Sequence, residues 1–402
     1  MSGNVLQVFW RWRWMQMEHK LLNGNQAAAL AVKLARVQIV CAYPITPQTS
    51  LVENIAEMWS RGQFPGEYVS VESEYSALSY LIGAGYAGAR TFTATSCQGL
   101  AYMHELLHWS AGARLPMVMV NVNRTMGAPW SLETDQLDSL SQRDTGWMQF
   151  YCADVQEIID TVLFAFCLVE EAKIPCMVSY DGFILSHTYE AVKLPTQEQV
   201  DAFLPLPPGE PLVAPSRPET IQPVCDWKVM SRAVQSRHRE MSALFPFIRE
   251  MGKRFQQIFE RPFSPLEAVD LHEAETVIVA AGAVSQTVKS VLPFLNQNGS
   301  RKGLLRLFLF RPLPQQEIAG MLSAAGIKKV VVIDRNLSSG TGGIFAQELR
   351  ALLQKSSFGG RVYELNLAGG VDLTKEMLAR GLAKIENGAD AGEEEIIWGV
   401  DL

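Results

Sequence analysis

Four side chains suited to binding acids or moving protons stand where predicted strands of this 402-residue chain end. Thr46 lies in a turn bracketed by prolines. Glu72 and Glu74 lie where a strand passes into a helix, and Arg124 follows an apolar run. Because the carboxyl ends of parallel strands meet at one edge of an α/β sheet, we expect these groups to converge. A hydroxyl, a carboxylate and a guanidinium together describe a site for an acid substrate beside a proton-handling group. One of the glutamates could instead only complement a helix dipole.

The turn that contains Thr46 is unusually rigid for its length. In the stretch Val40-Cys-Ala-Tyr-Pro-Ile-Thr-Pro-Gln-Thr-Ser50, Pro44 and Pro47 each fix φ and remove a backbone donor. Such a turn at the end of a strand is suited to holding a ligand in a set geometry.

The elements that must position these residues alternate between strand and helix. Short apolar or β-branched runs predict strands at 37–42, 68–71, 90–95, 117–122 and 175–180, and helical periods predict helices at 26–36, 74–87, 99–111 and 155–171. This alternation predicts an α/β fold with a doubly wound parallel sheet. Further strands are predicted at 276–281, 303–308 and 329–334, so a second, smaller α/β unit follows.

Composition divides the chain into five segments. We expect an N-terminal arm at 1–22, a first α/β domain at 23–194, a proline-rich strap and helical linker at 195–270, a second α/β domain at 271–386 and an acidic tail at 387–402. The strap has eight prolines between 195 and 223, and helical spacing returns at 227–260. The tail has Ile396-Ile-Trp398 near its end, which suggests a segment that docks on another surface.

Charge and cysteine content exclude several classes of protein. The net charge is −7, and no basic stripe indicates a nucleic-acid partner. No run reaches the roughly 18 apolar residues of a membrane span. The six cysteines never form Cys-x-x-Cys, which indicates reduced thiols in a cytoplasmic protein and provides no ligand set for an iron–sulfur cluster or structural zinc.

The stretch Gly83-Ala-Gly-Tyr-Ala-Gly88 fits the dinucleotide fingerprint G-x-G-x-x-G. That fingerprint has to follow a strand and open a helix, so that the pyrophosphate meets free N–H groups. Here it closes a predicted helix and leads into a strand, so small residues for close helix–sheet packing explain it better.

The stretch His104-Glu-Leu-Leu-His108 fits H-E-x-x-H, and it leaves a zinc-dependent hydrolase as an alternative. Glu105 would then be the general base. The longer metzincin pattern fails, because Ala111 and Arg114 replace its glycine and histidine. The apolar neighbours favour a core helix instead.

Several motifs in order resemble the α subunit of pyruvate:ferredoxin oxidoreductase, one of the 2-oxoacid:acceptor oxidoreductases. The similarity covers about 23–370, and the motifs are Asn23-Gly-Asn, Tyr43-Pro-Ile-Thr-Pro47, Val71-Glu-Ser-Glu74, Thr95-Ser-Cys-Gln-Gly99, Ser141-Gln-Arg-Asp-Thr-Gly-Trp147, Asp181-Gly-Phe183 with His187, and Asp334 with Gly340-Thr-Gly-Gly343. The resemblance implies a first domain that binds the pyrimidine half of thiamine diphosphate and a second domain like the C-terminal domain of transketolase.

The resemblance also implies roles for single residues. Glu74 matches the glutamate that hydrogen-bonds the pyrimidine nitrogen, and Tyr43, Pro44 and Ile45 belong to the cofactor-binding turn. The family's substrate-binding threonine and arginine match Thr46 and Arg124, which would hold the 2-oxoacid carboxylate by charge-assisted hydrogen bonds. Coenzyme A would be the co-substrate that accepts the acyl group.

The sequence lacks the Gly-Asp-Gly that binds magnesium and diphosphate in thiamine enzymes. We therefore expect a β subunit that carries this half of the site, with magnesium and an iron–sulfur cluster. The resemblance implies further γ and ferredoxin-like δ subunits, a dimer of such heteromers, and ferredoxin or, through a flavin subunit, NAD as electron acceptor.

The substrate stays open at this stage. Relatives commonly carry Asp-His where this chain has Asp135-Gln136, and the loop Met126-Gly-Ala-Pro-Trp130 is unlike that of pyruvate enzymes. A branched or aromatic 2-oxoacid, such as 2-oxoisovalerate or phenylglyoxylate, is as plausible as pyruvate. A non-catalytic scaffold subunit is a further alternative, and the presence of Thr46, Glu74 and Arg124 argues against it.

Overall fold

The computed structural model describes residues 19–386 and 396–402, except for 207–208, 210, 214–215, 217, 219, 298, 300 and 324–325. Most of the N-terminal arm, the acidic residues 387–395 and parts of the strap therefore lie outside the described residues.

Two α/β units form the described chain. In chain order the first unit comprises β1 (His19–Asn23), α1 (Gly24–Leu34), β2 (Ile39–Ala42), α2 (Thr49–Ser60), β3 (Glu67–Ser70), α3 (Glu74–Tyr86), β4 (Thr91–Thr95), α4 (Cys97–Tyr102), α5 (His104–Gly112), β5 (Met117–Asn123), α6 (Leu137–Leu140), β6 (Met148–Tyr151), α7 (Val155–Ala172), β7 (Cys176–Asp181), β8 (Tyr189–Lys193) and α8 (Gln197–Phe203). The remainder comprises α9 (Trp227–Ser242), α10 (Phe245–Phe259), β9 (Leu266–Val269), β10 (Thr276–Ala280), α11 (Val284–Leu295), β11 (Lys302–Leu307), β12 (Leu309–Arg311), α12 (Gln315–Leu322), β13 (Lys329–Asp334), α13 (Ile344–Gln354), β14 (Arg361–Asn366), α14 (Lys375–Glu386), β15 (Ile396–Trp398) and a 3₁₀ turn at Gly399–Asp401.

The first sheet has the strand order β12-β6-β7-β5-β4-β2-β3, and all its pairs are parallel except β12 with β6. One apolar core, with residues of α1, α2 and α7, covers one face of this sheet, and a second core, with residues of α3, α4 and α5, covers the other. Both faces are buried, as is typical of a mainly parallel sheet. The predicted doubly wound α/β fold is confirmed.

Local sequence explains where the main elements begin and end. All seven residues of β5 are buried, as its apolar run predicts for a central parallel strand. The helix α7 begins after Asp154, whose carboxylate accepts a hydrogen bond from Glu157 N at 2.8 Å, and it ends at Lys173 in the left-handed conformation.

The predicted strands of the first unit are present within two residues of their expected ends. The single helix predicted at 99–111 is wrong, because the chain forms α4 and α5 with a break at Met103. There Met103 N shares its hydrogen bond between Gly99 O at 3.2 Å, the α-helical acceptor, and Leu100 O at 3.1 Å, the acceptor of a tighter 3₁₀ turn.

Several short strands were not predicted from the sequence. The strands β6 and β9 have four residues each and β12 has three, and β14 mixes charged with apolar side chains, so periodicity gave little signal. The strand β9 lies inside the segment predicted as linker, and β12 leaves the second unit to pair with β6. The predicted helical stretch at 227–260 forms α9 and α10.

The second sheet has the order β15-β14-β13-β10-β11-β9, with only β9 antiparallel. Its edge strand β15 contains Ile396-Ile-Trp398 and pairs with β14. The tail segment that was expected to dock thus lies on the sheet of its own chain.

Candidate functional site

The carboxyl edge of the first sheet brings Arg124 and Thr46 into contact. Arg124 directly follows β5 and is 5% exposed. Its Nη1 donates a hydrogen bond to the carbonyl oxygen of Thr46 at 2.6 Å, and its Nη2 donates to Gln98 Oε1. Its Nε is buried without a hydrogen-bond partner among the described residues. The guanidinium is thus held in a fixed orientation with donor capacity left over.

The turn after β2 is held from below by Gln48. The Gln48 side chain accepts from Ile45 N at 3.2 Å and donates to Ala94 O on β4 at 2.7 Å. The upper side of the turn is open, since Tyr43 is 37% exposed and Pro44 is exposed as well. The predicted rigidity of the turn therefore has a specific hydrogen-bond basis, and its exposed side is free to contact a ligand.

Glu74 is the inward-facing carboxylate of the strand-to-helix junction. It begins α3 after Ser73, whose hydroxyl accepts from Ser76 N at 3.1 Å, and it is 9% exposed. No described residue donates a hydrogen bond to its carboxylate. A Cβ atom at Gly99 would lie 2.5 Å from Glu74 Oε1, so only glycine lets α4 approach this closely. A nearly buried carboxylate without a partner indicates a ligand-binding group.

Glu72, the other candidate, faces outward. It is exposed, and its carboxylate accepts a hydrogen bond from the Ser76 hydroxyl. That hydrogen bond lowers the pKa of Glu72 below its usual range. Glu72 has a structural partner, whereas Glu74 has none among the described residues, which distinguishes the two carboxylates that the sequence left open.

Asp138 lies beneath the site and was not singled out from the sequence. Its Oδ2 accepts from Cys97 N at 3.1 Å, Arg124 N at 3.2 Å and Asn121 Nδ2 at 3.1 Å. Its Oδ1 accepts from Asn123 Nδ2 at 2.6 Å and from the backbone N of Ser139 at 2.7 Å. Burial raises the pKa of Asp138 to about 6, against the lowering effect of these donors.

The sequence predicted no individual role for Gln98, which lies within the motif Thr95-Ser-Cys-Gln-Gly99. It contacts Arg124 directly through the hydrogen bond from Nη2. Gln98 and Asp138 both hold Arg124 through tertiary hydrogen bonds. No local sequence pattern predicts either contact.

Cys97, the residue before Gln98, has a structural role rather than a catalytic one. It is buried with φ of 46°, and its thiol donates to Thr125 O at 2.7 Å. Burial raises the pKa of the thiol, so this cysteine is not an activated nucleophile.

The loop after Arg124 places an aromatic face beside the guanidinium. The Trp130 ring centroid lies 5.7 Å from Arg124 Cζ, and Trp130 is 65% exposed. Two hydrogen bonds close the base of this loop, from Thr125 N to Glu133 O and from Thr125 Oγ1 to Ser131 O, both at 2.9 Å.

The H-E-x-x-H stretch lies on α5, which packs into an apolar core through Leu106 and Leu107, as its apolar neighbours predicted. His104, Glu105 and His108 lie on the opposite, exposed side of the helix. His104 Nδ1 lies 2.5 Å from Gln142 Oε1, and the two imidazole rings meet edge to face with centroids 5.0 Å apart. Within the described ranges, no three His, Cys, Asp or Glu side chains form a group that could hold a metal.

The glycine-rich stretch 83–88 lies at the predicted place, between a helix and the strand that follows it. It closes α3 and leads into β4, and a Cβ atom at Gly85 would contact the Leu115 side chain at 3.5 Å. This is a packing role and not the geometry of a dinucleotide site.

The edge also carries polar groups that fit a cofactor. Besides Glu74 and Arg124, the hydroxyls of Thr95 and Ser96 at the end of β4 are buried without partners among the described residues. The Glu74 carboxylate and these two hydroxyls can accept hydrogen bonds from an aminopyrimidine ring. Gly99 has no side chain that would contact Glu74 or Thr95. The fold and this edge together define a cofactor-binding α/β domain with a cation for an acid substrate.

Comparison with known proteins agrees with that class. A family model described as "pyruvate flavodoxin/ferredoxin oxidoreductase, thiamine diP-bdg" matches residues 30–253, and the model "pyruvate:ferredoxin oxidoreductase core domain II" matches 274–378. The chain belongs to this family of 2-oxoacid:ferredoxin oxidoreductase α subunits, and its first unit is the thiamine diphosphate-binding domain.

Two curated relatives and one solved structure illustrate the similarity. The ketoisovalerate oxidoreductase subunit VorA of Pyrococcus abyssi is 45% identical over 83% of this chain and 85% of its own length. The pyruvate synthase subunit PorA of Methanothermobacter thermautotrophicus is 38% identical over 94% and 97%. A 2-oxoglutarate:ferredoxin oxidoreductase from Magnetococcus marinus has a TM-score of 0.71 at 19% identity, over 92% of this chain and 65% of that chain, and shares the fold.

The described helices include none that is both long and apolar enough to cross a membrane. All six cysteines are free thiols, and only Cys225 is exposed.

Proposed function

We propose that this chain is the α subunit of an enzyme complex that oxidatively decarboxylates a 2-oxoacid to an acyl-CoA and passes the electrons to ferredoxin or NAD. The observation that carries the proposal is that Arg124, fixed against Thr46, and the unpartnered carboxylate of Glu74 contact successive residues of α4, Gln98 and Gly99. Family membership and the similarity to 2-oxoacid oxidoreductase subunits support it.

In this proposal Arg124 and Thr46 bind the substrate carboxylate. The guanidinium is already oriented by its bonds to the Thr46 carbonyl and Gln98, so little side-chain entropy is lost when the substrate binds. Charge-assisted hydrogen bonds of this kind are shorter and stronger than neutral ones. The exposed hydroxyl side of Thr46 supplies a second, neutral contact.

Glu74 would bind the pyrimidine half of thiamine diphosphate. That cofactor, when bound, supplies the nucleophile and the electron sink of the reaction. Glu74 would share a proton with the pyrimidine nitrogen, and the close packing of Gly99 against its carboxylate would keep it in place. The exposed turn residues Tyr43 and Pro44, with Ile45, would contact the same ring. Burial of the carboxylate strengthens this hydrogen bond, because water does not compete for it.

The rest of the site is proposed to lie on partner chains. The chain has no Gly-Asp-Gly, and five of its six thiols are buried. Among the described residues no three His, Cys, Asp or Glu side chains form a possible metal site. We propose that a β subunit carries the binding site for the diphosphate and magnesium, together with an iron–sulfur cluster. We also propose γ and ferredoxin-like δ subunits, and a dimer of such heteromers. Coenzyme A would accept the acyl group. Free thiols suit the reducing cytoplasm, where we place the complex.

The complex itself provides the test. It would be purified without oxygen from native cells through a tag on this chain, and its subunits, iron, magnesium and thiamine would be measured. We expect coenzyme A-dependent reduction of ferredoxin or NAD with pyruvate, 2-oxoisovalerate or phenylglyoxylate. A complex with all its subunits and thiamine that reduces neither acceptor with any 2-oxoacid would refute the proposal.

A further inference from the structure

The short helix α6 lies between the two units, directly below Arg124. Leu140 is buried in the apolar core of the second unit, and Leu137 packs against that core. The intervening residues, Asp138 and Ser139, are fully buried and bond to Asn123 of the first sheet. One turn of helix thus has an apolar side anchored in the second unit and a polar side anchored in the first.

The segment just before α6 is tied to the second unit by hydrogen bonds. Asp135 Oδ2 accepts from Gly369 N at 2.8 Å, while its Oδ1 accepts from Leu137 N at 2.7 Å. Gln136 donates from its backbone N to Arg335 O at 2.7 Å. Asp135, Gln136 and Arg335 are at most 5% exposed, whereas Gly369 lies at the surface. Breaking the bond from Gln136 would leave buried polar groups unpaired, which is costly.

A buried ion pair closes the same junction. Arg335 of the second unit is 2% exposed, and its Nη1 lies 3.7 Å from Asp181 Oδ1 at the end of β7. Asp181 Oδ2 also accepts from Ala283 N of the second unit, at 2.6 Å. The position of α6 is therefore set by both units together and not by its four-residue length.

On its other side α6 determines where Arg124 lies. A single carboxylate oxygen of Asp138 accepts from Arg124 N and from Cys97 N. The first bond fixes the backbone of the arginine, and the second fixes the start of α4, which carries the Gln98 that braces the guanidinium. The position of the Arg124 backbone and the orientation of its guanidinium thus both depend on Asp138.

We propose that Asp138 is a positioning residue through which the second unit holds Arg124 in the orientation that binds the substrate carboxylate. This rests on the proposed function, and it gives the second unit a role in substrate binding. A shift of the α6 turn would move the arginine, and small misplacements of positioning groups have large effects on binding and rate.

The test compares two variants of this connection with a matched control in the purified complex. Asp138→Asn keeps the size of the side chain but turns one acceptor oxygen into a donor that faces the donors now bonded to it. Asp135→Asn weakens the link to Gly369 without touching the first sheet. The control, Arg306→Gln, breaks a different pair between the units, in which Arg306 donates to the Glu157 carboxylate at 2.7 and 2.6 Å.

Three quantities are measured for each complex: the Kd of oxamate, an unreactive 2-oxoacid isostere, the KM and kcat for the best 2-oxoacid, and the unfolding temperature. We expect Asp138→Asn to raise the oxamate Kd and the KM by about tenfold or more, with a smaller change in kcat. Asp135→Asn should raise the oxamate Kd and the KM by about threefold. Arg306→Gln should lower the unfolding temperature but change the oxamate Kd and the KM by no more than about twofold. Thiamine content should stay at the wild-type level throughout.

Unchanged Kd and KM in Asp138→Asn or Asp135→Asn, with a drop in unfolding temperature like that of Arg306→Gln, would overturn the inference. If Asp138→Asn does not assemble, Asp135→Asn decides alone. A wild-type complex that neither binds oxamate nor turns over any 2-oxoacid would instead refute the proposed function, and with it this inference.

Discussion

Arg124 donates a hydrogen bond from Nη1 to the carbonyl oxygen of Thr46 at 2.6 Å, across a sequence separation of 78 residues. The bond joins the ends of β2 and β5, which are separated by β4 in the sheet. It uses the backbone of the turn, so the Thr46 hydroxyl stays available. The turn and the arginine therefore form one rigid unit that presents a hydroxyl and a cation together.

Arg124→Ala should weaken use of the 2-oxoacid while thiamine diphosphate stays bound to the complex. Losing a hydrogen bond to a charged partner costs about 1.5–3 kcal/mol, which corresponds to a rise of about 10- to 150-fold in KM. Steady-state kinetics and thiamine content of the purified complex measure the two effects. Arg61→Ala, at an exposed salt bridge with Glu57, is the control and should change neither. Loss of the cofactor with an unchanged KM would contradict the role given to Arg124.

Glu74→Gln should leave the complex assembled and nearly stop turnover. The amide keeps the size of the side chain but cannot share a proton with the pyrimidine nitrogen as a carboxyl group does. Turnover should fall by at least about 100-fold, the lower end of what a positioned acid–base group contributes. Glu72→Gln is the matched control, two residues away and exposed, and should keep near-normal turnover. The reverse result, with Glu72→Gln inactive and Glu74→Gln active, would show that the role belongs to Glu72 and not to Glu74.

The strand ends were predictable from the sequence, but the contacts beneath them were not. The apolar runs of β2 and β5 placed Thr46 and Arg124 at one edge, since parallel strands end on the same side. Which of Glu72 and Glu74 faces inward depended on the close approach of Gly99, a tertiary contact. Asp138 was missed because its five donors come from separate segments of the chain, and no local pattern records them.

The same reasoning explains why α6 and β12 were missed. The helix α6 has four residues and is held by both units, so its helical spacing is too short to detect. The strand β12 has three residues and pairs back to β6 of the first unit. Elements fixed by long-range pairing leave weak signals in a single sequence.

Trp130→Ala should change which 2-oxoacid the complex prefers. The indole lies beside Arg124 and is largely exposed, so the side chain of a substrate bound through its carboxylate can pack against it. Each methylene group in such a contact contributes roughly 0.8 kcal/mol. We expect kcat/KM for 2-oxoisovalerate relative to pyruvate to fall by about tenfold, as two additional methyl groups imply.

The control for this comparison is Trp59→Ala. Trp59 is also partly exposed, but its ring packs near Tyr68, with centroids 6.5 Å apart, and not beside Arg124. The substrate ratio should stay at the wild-type value. Equal ratios in Trp130→Ala and the wild type would show that the loop does not contact the substrate side chain.

His104→Ala should remove no metal from the protein. The imidazole is exposed and contacts the Gln142 side chain, so its loss should lower the free energy of unfolding by no more than about 1 kcal/mol. Elemental analysis and thermal unfolding of the variant check both statements, with His108→Ala as the paired variant on the same face of α5. Stoichiometric zinc in the wild type that is lost in either variant would restore the hydrolase interpretation.

The isolated chain should bind thiamine diphosphate only weakly, because the proposed diphosphate and magnesium ligands lie on the β subunit. The turn that contains Tyr43 and Pro44 is exposed in this chain, so a partner would have to cover a bound cofactor to keep water from the reacting atoms. That cover requires a permanent interface, in the size class of roughly 2,000 Å² or more. The isolated, folded chain is titrated with thiamine diphosphate and magnesium, and binding is measured by calorimetry. We expect a Kd at least about 100-fold above that of the whole complex, because half of the contacts to the cofactor are absent. Thermal unfolding before the titration confirms that the chain is folded. Binding by the lone chain as tight as by the complex would refute the shared site.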